Sequence, residues 1–458
     1  MQAPTALRPP PVEPGLIHSP STPSSADVLQ QLLHKDFLTH HCFFNDAGFH
    51  NHLQHHLVAA YDMGAPQELL RIIYADEASI LRPLNREGDD ITVVNWTTRL
   101  GEHKAYASYL AFFSDQISKE GVEETFRKYV LVPEANGNNA LMLGRFLGGA
   151  LHPFLQIGRW PQSLPRALLL PFSTCRRPSR DLDSTSKGAT LLSLLREVYQ
   201  SEILKPVMPY DPDALLSERF NKLAEDERRA AEIKRIYTQW PIDTTLTGRA
   251  SDAEFASKSE ECLWQATLLL AATSKPNRAP RLDFLLMHVL TSALCIPSLF
   301  KIIPDPVHKA QLLQGYVRSS ALFVLTSGRP RIDIPLLMSY SQFPLPPLPA
   351  PKPELAAALG DPRVEGESNP WLAVVQNALH HKDAHVIKAV RTLYYCAQHY
   401  GLTAPGAAIG ARDGAGEETH AGAGKMDGTV FIRAAGVLSE ALGWVAALGW
   451  DAAWDNED

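Results

Sequence analysis

The sequence predicts an all-α fold: a single large helical domain packed around an internal pocket, behind a disordered N-terminal leader. Apolar residues recur at three- and four-residue spacings through most of the chain, whereas alternating runs, the mark of half-buried strands, are scarce. The segment Asp283 to Cys295 is apolar nearly all round and so belongs in a core. Along it, His288, Thr291, Ser292 and Cys295 fall at i, i+3, i+4 and i+7 and draw a polar stripe. Buried polar groups need partners, so a whole stripe predicts an internal site; a lone core histidine bonded to a backbone carbonyl is the plainer reading. With 45% hydrophobic and 20% charged residues over 458 positions, the chain has the composition to bury such a core.

The elements follow in order. The first 27 residues hold seven prolines and neither the apolar run of a signal peptide nor an Arg-rich amphipathic pattern. They read as the leader, with the helical domain over residues 28–450. Ser25 or Asp27 caps a short helix ending at Leu33, and Phe37 to Gly48 reads as a loop. Leu53, Leu57, Ala60 and Tyr61 then mark a helix ending near Met63-Gly64, and Pro66 suits the first turn of the next, Gln67 to Tyr74. Tyr106, Tyr109, Phe112 and Phe113 place a core helix between Gly101 and Gly121, with helices Glu123–Tyr129 and Asn139–Leu151 after it. More are expected over Thr190–Ser201, Asp213–Ile236, Phe255–Ala272, Pro280–Leu294, Pro306–Thr326, Trp371–Tyr400 and Phe431–Leu448. A Pro-rich linker over 343–370 and a Gly/Ala-rich flexible loop over 404–427 interrupt them. Gly422-Ala423-Gly424-Lys425 is not a phosphate loop: Thr419 stands where its first glycine belongs, Met426 replaces the Ser/Thr, and no strand precedes it.

Charge and cysteine usage narrow the function. A net charge of −7 with no basic stripe interleaved with aromatics predicts no nucleic-acid partner. Five scattered cysteines without a CxxC pair suit reduced thiols in a cytoplasmic protein. No run of about 18 apolar residues is present to span a membrane. Neither a Gly-x-Ser-x-Gly elbow nor a Gly-x-Gly-x-x-Gly turn after a strand occurs, so an enzyme built on this chain depends on its histidines.

Four of the 17 histidines, His50, His52, His55 and His56, lie within seven residues at the start of one helix. Residues four apart sit one turn above each other, so His52 and His56 offer two imidazoles to one metal ion, while His55 points further round towards solvent. The plainer reading is a solvated His-rich first turn. Further on, His152 lies just beyond Gly148-Gly149, where a ligand or another backbone has room to approach. His385 shares a face with the small residues Ala389, Thr392 and Cys396. One turn on from it, Lys388 is either a solvated lysine or a buried amine that takes up carbon dioxide to become a carbamate oxygen ligand.

Taken together, Gly48-Phe49-His50-Asn51-His52, Gly64-Ala65-Pro66, Asn95-Trp96 with Leu100-Gly101, Gly149-Ala150-Leu151-His152-Pro153-Phe154, Asp283-Phe284 with Met287-His288, Gly328-Arg329-Pro330 and His385-Val386 with Lys388-Ala389-Val390-Arg391 resemble the questin oxidase-like family, in order, from about Phe43 to Leu438. The resemblance implies a mostly helical oxygenase of the kind found especially in fungi, oxidising or opening rings of anthraquinones and related aromatic polyketides, in some members by Baeyer–Villiger-type chemistry with NADPH and dioxygen. It also implies a non-haem iron held by several histidines and a carboxylated lysine. Carried over residue by residue, the metal ligands are His52, His56, His152, His288 and Lys388, with His385 as neighbour or alternate ligand. Thr291 or Ser292 is then placed to bond a substrate oxygen.

The chain departs from the family pattern over residues 159–187. Where the family continues into Tyr-Gly and later a helix with another histidine, this chain reads Arg159-Trp160-Pro161-Gln162-Ser163-Leu164-Pro165-Arg166, and no histidine occurs between His152 and His288. So many prolines and arginines predict a segment kept out of the core, and either a different exon boundary or a site that has lost a part. The rival expectation is therefore a non-catalytic helical protein that binds a small molecule in the same pocket.

Overall fold

The computed structural model of the chain describes residues 23–45, 48–85, 90–137, 140–157, 188–206, 216–280, 282–344, 361 and 364–441. Among these, helices alternate with turns, and extended pairing is confined to isolated bridges such as Phe43 with His50. The all-α expectation holds. The chain falls into two compact units, one of residues 1–177 with 295–309, the other of residues 178–294 with 310–458.

The first unit opens with α1 (Pro23–Thr39), α2 (Leu53–Asp62) and α3 (Gln67–Ala78), which pack on one another. Next come α4 (Tyr106–Phe126), α5 (Pro133–Asn136), α6 (Met142–Phe146) and α7 (His152–Ile157). The second unit holds α8 (Leu191–Gln200), α9 (Leu216–Glu225), α10 (Glu227–Tyr237), α11 (Gly248–Ala271) and α12 (Phe284–Ala293). After α13 (Ile296–Phe300), which returns to the first unit, α14 (Pro306–Thr326) leads back. The second unit ends with α15 (Ile334–Ser339), α16 (Pro370–Leu379), α17 (Ala384–Tyr400) and α18 (Val430–Ala441).

Several boundaries differ from the sequence expectation, each for a local reason. Helix α1 starts at Pro23 and runs to Thr39, so residues 23–27 of the expected leader are helical and the loop expected from Phe37 begins later. The helix expected over Asp213–Ile236 is two, because the Asp226 carboxylate accepts from the backbone N–H groups of Arg228 and Arg229 and starts a new helix. That expected over Trp371–Tyr400 also breaks, at Asp383, which accepts from the N–H of His385. An aspartate inside a periodic run reads as surface, yet here it caps. The remainder of the expected leader, the atypical segment at 159–187 and most of the Pro-rich linker lie outside the described residues.

Each unit is tied by a buried carboxylate. In the first, Asp36 on α1 is fully buried and accepts from Asn51 Nδ2 at 3.0 Å and Gln54 Nε2 at 2.9 Å, with His40 Nδ1 2.9 Å away, which pins the entry of α2. In the second, Glu261 on α11 accepts from the N–H of Leu191 and from Trp240 Nε1, both at 3.0 Å, while Lys258 Nζ lies 3.0 Å from its other oxygen. Helix α11 packs on α12 and α18, and α17 packs on α12, α16 and α18.

The Gly/Ala-rich loop is closely hydrogen-bonded along its length. Glu418 accepts from the N–H groups of Gly422 and Gly424, Thr419 donates to the Gly410 carbonyl, and Asp413 is joined to Arg196 of α8 at 2.9 Å. At Gly406, φ is +74° and an added Cβ would meet the Gly424 carbonyl oxygen at 2.6 Å, so two strands of the loop pass too close for a side chain. Within this loop, both ring nitrogens of His420 are sealed from solvent without a hydrogen-bond partner among the described residues, and its ring stands perpendicular to that of Tyr199. Burial first, then Arg196 and Arg331, push its pKa down to about 4.

A ring that folds neutral but titrates normally when unfolded stabilises the fold fully above about pH 6.5, and that contribution is lost as pH falls towards 4. Thermal unfolding of the wild type between pH 7 and 4 should therefore show a loss of at most about 3 kcal/mol that is missing in His420→Asn. Parallel pH profiles for the two proteins would assign the acid sensitivity elsewhere.

Candidate functional site

In the first unit the site residues gather around the start of α2. Asn51 accepts from the N–H of Leu53 at 2.9 Å and donates to Asp36, which fixes the first turn and leaves the His52 side chain out of the capping role. His52 Nε2 lies 3.0 Å from His152 Nε2. His152 is delivered by a tight turn in which Gly149, Ala150 and Leu151 all have left-handed φ, of 56°, 53° and 61°. For the two non-glycines this conformation costs about 1–2 kcal/mol per residue. The same turn brings the Gly149 carbonyl to 2.6 Å from His152 Nδ1.

That short contact decides the tautomer. A carbonyl only accepts, so His152 Nδ1 carries a proton, and in the neutral ring its Nε2 presents a lone pair towards His52. Between two imidazole nitrogens 3.0 Å apart, one of them unprotonated, either a shared proton or a shared cation satisfies both. The spacing also equals that of two nitrogens each about 2.1 Å from one ion and at right angles to each other, so the pair fits a metal's neighbouring ligand positions. His50 stacks on His152, with centroids 3.9 Å apart and planes 15° from parallel. His55, expected to face solvent, instead has both ring nitrogens sealed from water and its ring within 6.2 Å of His52 and His152. His56 is buried one turn beyond His52 and places Nδ1 2.6 Å from Glu77 Oε1 on α3.

In the second unit the site residues lie on α12 and α17. Asp283 caps α12 by accepting from the N–H of Leu286, and burial pushes its carboxyl pKa up. His288 is fully buried, with Nδ1 donating to the Phe284 carbonyl at 2.7 Å. The two hydroxyls of the polar stripe are satisfied locally: Thr291 donates to the Met287 carbonyl at 3.1 Å and Ser292 to the His288 carbonyl at 2.6 Å. Their hydroxyl protons are engaged by these carbonyls, so any substrate group they meet must donate to them. The rings of His288 and His385 lie 5.2 Å apart, and Phe284 packs edge-on against both. His385 Nδ1 is 2.6 Å from Asp383 Oδ1, and Lys388 is buried with its Nζ sealed from solvent.

Three histidines thus share one arrangement. His152, His288 and His385 each commit Nδ1–H to an acceptor, which makes Nε2 the unprotonated nitrogen of the neutral ring. Metal-binding histidines are held in this way, the outer acceptor fixing the tautomer and strengthening the donor.

The family model described as questin oxidase-like matches residues 49–159 and 163–393, most of the chain and every residue of these two groups. The chain belongs to the questin oxidase-like family. Its match resumes at residue 163, inside the stretch that departs from the pattern, so the interruption is shorter than that stretch. Among similar curated proteins, the oxidoreductase AflY of Aspergillus parasiticus is 24% identical over 82% of this chain and 73% of its own length. The Baeyer–Villiger oxidase AgnL3 of Paecilomyces divaricatus is 22% identical over 68% of this chain and 70% of its own. A questin oxidase of Aspergillus terreus is 21% identical over 80% and 79%. These questin oxidase-like relatives are fungal oxidases, and no helix among the described residues here is long and apolar enough to cross a membrane.

Because Asp36 holds the entry of α2, Asp36→Ala should cost about 2–4 kcal/mol by stranding the amides of buried Asn51 and half-buried Gln54. Chemical denaturation measures it. A loss under about 1 kcal/mol would mean that the apolar packing of α1 to α3, and not this carboxylate, sets the geometry at His52.

Proposed function

We propose that this protein is an oxygenase of secondary metabolism that oxidises or opens a ring of an anthraquinone-like aromatic polyketide at a histidine-ligated iron(II). The observation that carries the reading is the shared state of the histidines, each with Nδ1 held and Nε2 left as donor. The proposed ligands are His52, His56, His152, His288 and a carboxylated Lys388, five donors in all, with His385 as neighbour or alternate. Imidazole with one carbamate oxygen suits iron(II) with a position left open. Bound there, iron supplies the binding and activation of dioxygen. The names of the relatives, questin oxidase and Baeyer–Villiger oxidase, support the reaction class.

The chain's own residues do the rest. The carbonyls of Gly149 and Phe284 and the carboxylate of Asp383 orient the rings; the buried faces of α12 and α17 exclude water; the lone pairs of Thr291 and Ser292 are the acceptors proposed for a substrate hydroxyl. A Baeyer–Villiger insertion uses one oxygen atom of dioxygen and needs two electrons for the other, for which NADPH is the proposed reductant. The substrate is proposed as a small, flat, hydrophobic molecule, and the working compartment as the cytoplasm.

A second reading, a binding protein without catalysis, is favoured by one observation: no histidine stands between His152 and His288 where the family pattern has one. Elemental analysis separates the two. The oxygenase reading expects about one iron per chain after anaerobic loading, a loss of at least tenfold in retained iron for His288→Ala, and dioxygen uptake that depends on an anthraquinone substrate. Iron-free protein that binds the quinone without consuming dioxygen would establish the binding-protein reading.

The lysine has its own test. Lys388→Ala should lose most of the bound iron, and added acetate or propionate should restore part of it by supplying the missing oxygen donor. Unchanged iron content in Lys388→Ala would reduce Lys388 to a packing role in α17.

A further inference from the structure

The pair His56–Glu77 has a chemistry that packing alone does not require. His56 is 3% exposed, its Nδ1 lies 2.6 Å from Glu77 Oε1, and its Nε2 is sealed from solvent with no hydrogen-bond partner among the described residues. The Glu77 contact decides which ring nitrogen carries a proton. A proton on Nε2 alone would set the Nδ1 lone pair against a carboxylate oxygen at 2.6 Å, which is repulsive. A proton on Nδ1 makes the contact a hydrogen bond, and in the neutral ring it leaves the Nε2 lone pair sealed from solvent as a metal donor.

We propose that Glu77 is a positioning residue: from α3 it locks His56 in the Nδ1–H tautomer and aims the basic Nε2 of a carboxylate-backed imidazole as a metal donor one turn above His52. The metal half of this inference rests on the iron reading above; the tautomer half stands on the geometry alone. Glu77 differs from the acceptors behind His152 and His288, which are backbone carbonyls, in being a side-chain carboxylate. It belongs with Asp383, which stands in the same relation to His385. Nothing in the local sequence announces Glu77, since 21 residues separate it from its partner.

The test uses the full-length chain as wild type, Glu77→Gln and Glu77→Ala, with selectively 15N-labelled histidine and His56→Asn to assign the signal. In metal-free protein, long-range proton–nitrogen spectra should show His56 as the Nδ1–H tautomer in wild type, largely retained in Glu77→Gln, whose amide oxygen still accepts, and lost in Glu77→Ala. Anaerobic iron(II) loading against a chelator should then give about 10–100-fold weaker retention in Glu77→Ala and a smaller loss in Glu77→Gln. A purely structural clasp between α2 and α3 would lower the unfolding temperature of both variants while leaving tautomer and iron affinity as in wild type, and that result overturns the proposal. Should wild type itself retain no iron, the iron reading fails, and the tautomer spectra alone decide whether Glu77 sets the ring.

Discussion

A neutral imidazole has one proton for two nitrogens, and in this protein the placing of that proton is what the site depends on. His152, His288, His385 and His56 each meet an acceptor within 2.7 Å of Nδ1: the Gly149 carbonyl, the Phe284 carbonyl, the Asp383 carboxylate and the Glu77 carboxylate. Each acceptor is supplied by a different local device. A left-handed turn presents Gly149, an N-terminal helical turn presents Phe284, a helix cap presents Asp383, and helix packing presents Glu77. That four unrelated pieces of backbone and side chain converge on one electronic outcome argues that the outcome has a use.

The cost of the arrangement is visible in the fold. Ala150 and Leu151 hold φ values that L-residues avoid, and the strained turn they form is the one that delivers His152. Asp36 is buried among amides at the entry to α2, where an unpaired carboxylate would be destabilising, and its partners Asn51 and Gln54 flank His52. Stability is given up, or tightly balanced, close to the histidines. In the second unit the same balance appears as Glu261, whose three partners tie α8 and Trp240 to the long helix that packs on α12.

Much of this was legible in the sequence, and the rest was hidden for identifiable reasons. Helical periodicity gave the fold class and placed α2, α8, α12 and α14 to within a few residues. The polar stripe on an apolar segment picked out His288, and the glycines before it picked out His152. Spacing alone paired His52 with His56, whereas the structure turns His52 to His152 and His56 to Glu77, a choice made by tertiary contacts over 100 and 21 residues that no local pattern encodes. Thr291 and Ser292 read as part of a polar stripe that marks an internal site, but hydroxyls inside helices find the carbonyl four residues back, as both do here. Asp226 and Asp383 were read through as helix interior because a capping aspartate and a surface aspartate look alike until the backbone is seen to bend. The Gly/Ala-rich loop read as flexible because composition carries no sign of the Glu418 and Asp413 side chains that stitch it.

Iron(II) is the proposed guest of these histidines, each holding Nδ1–H and turning Nε2 outward as a donor. X-ray absorption at the iron edge, on protein loaded anaerobically with iron(II) and freed of excess metal, addresses it without a substrate. About one iron per chain is expected, with a first shell of nitrogen and oxygen near 2.1 Å and the outer-shell scattering of several imidazoles. Iron that washes away, or a retained shell of water oxygens without imidazole scattering, would contradict it.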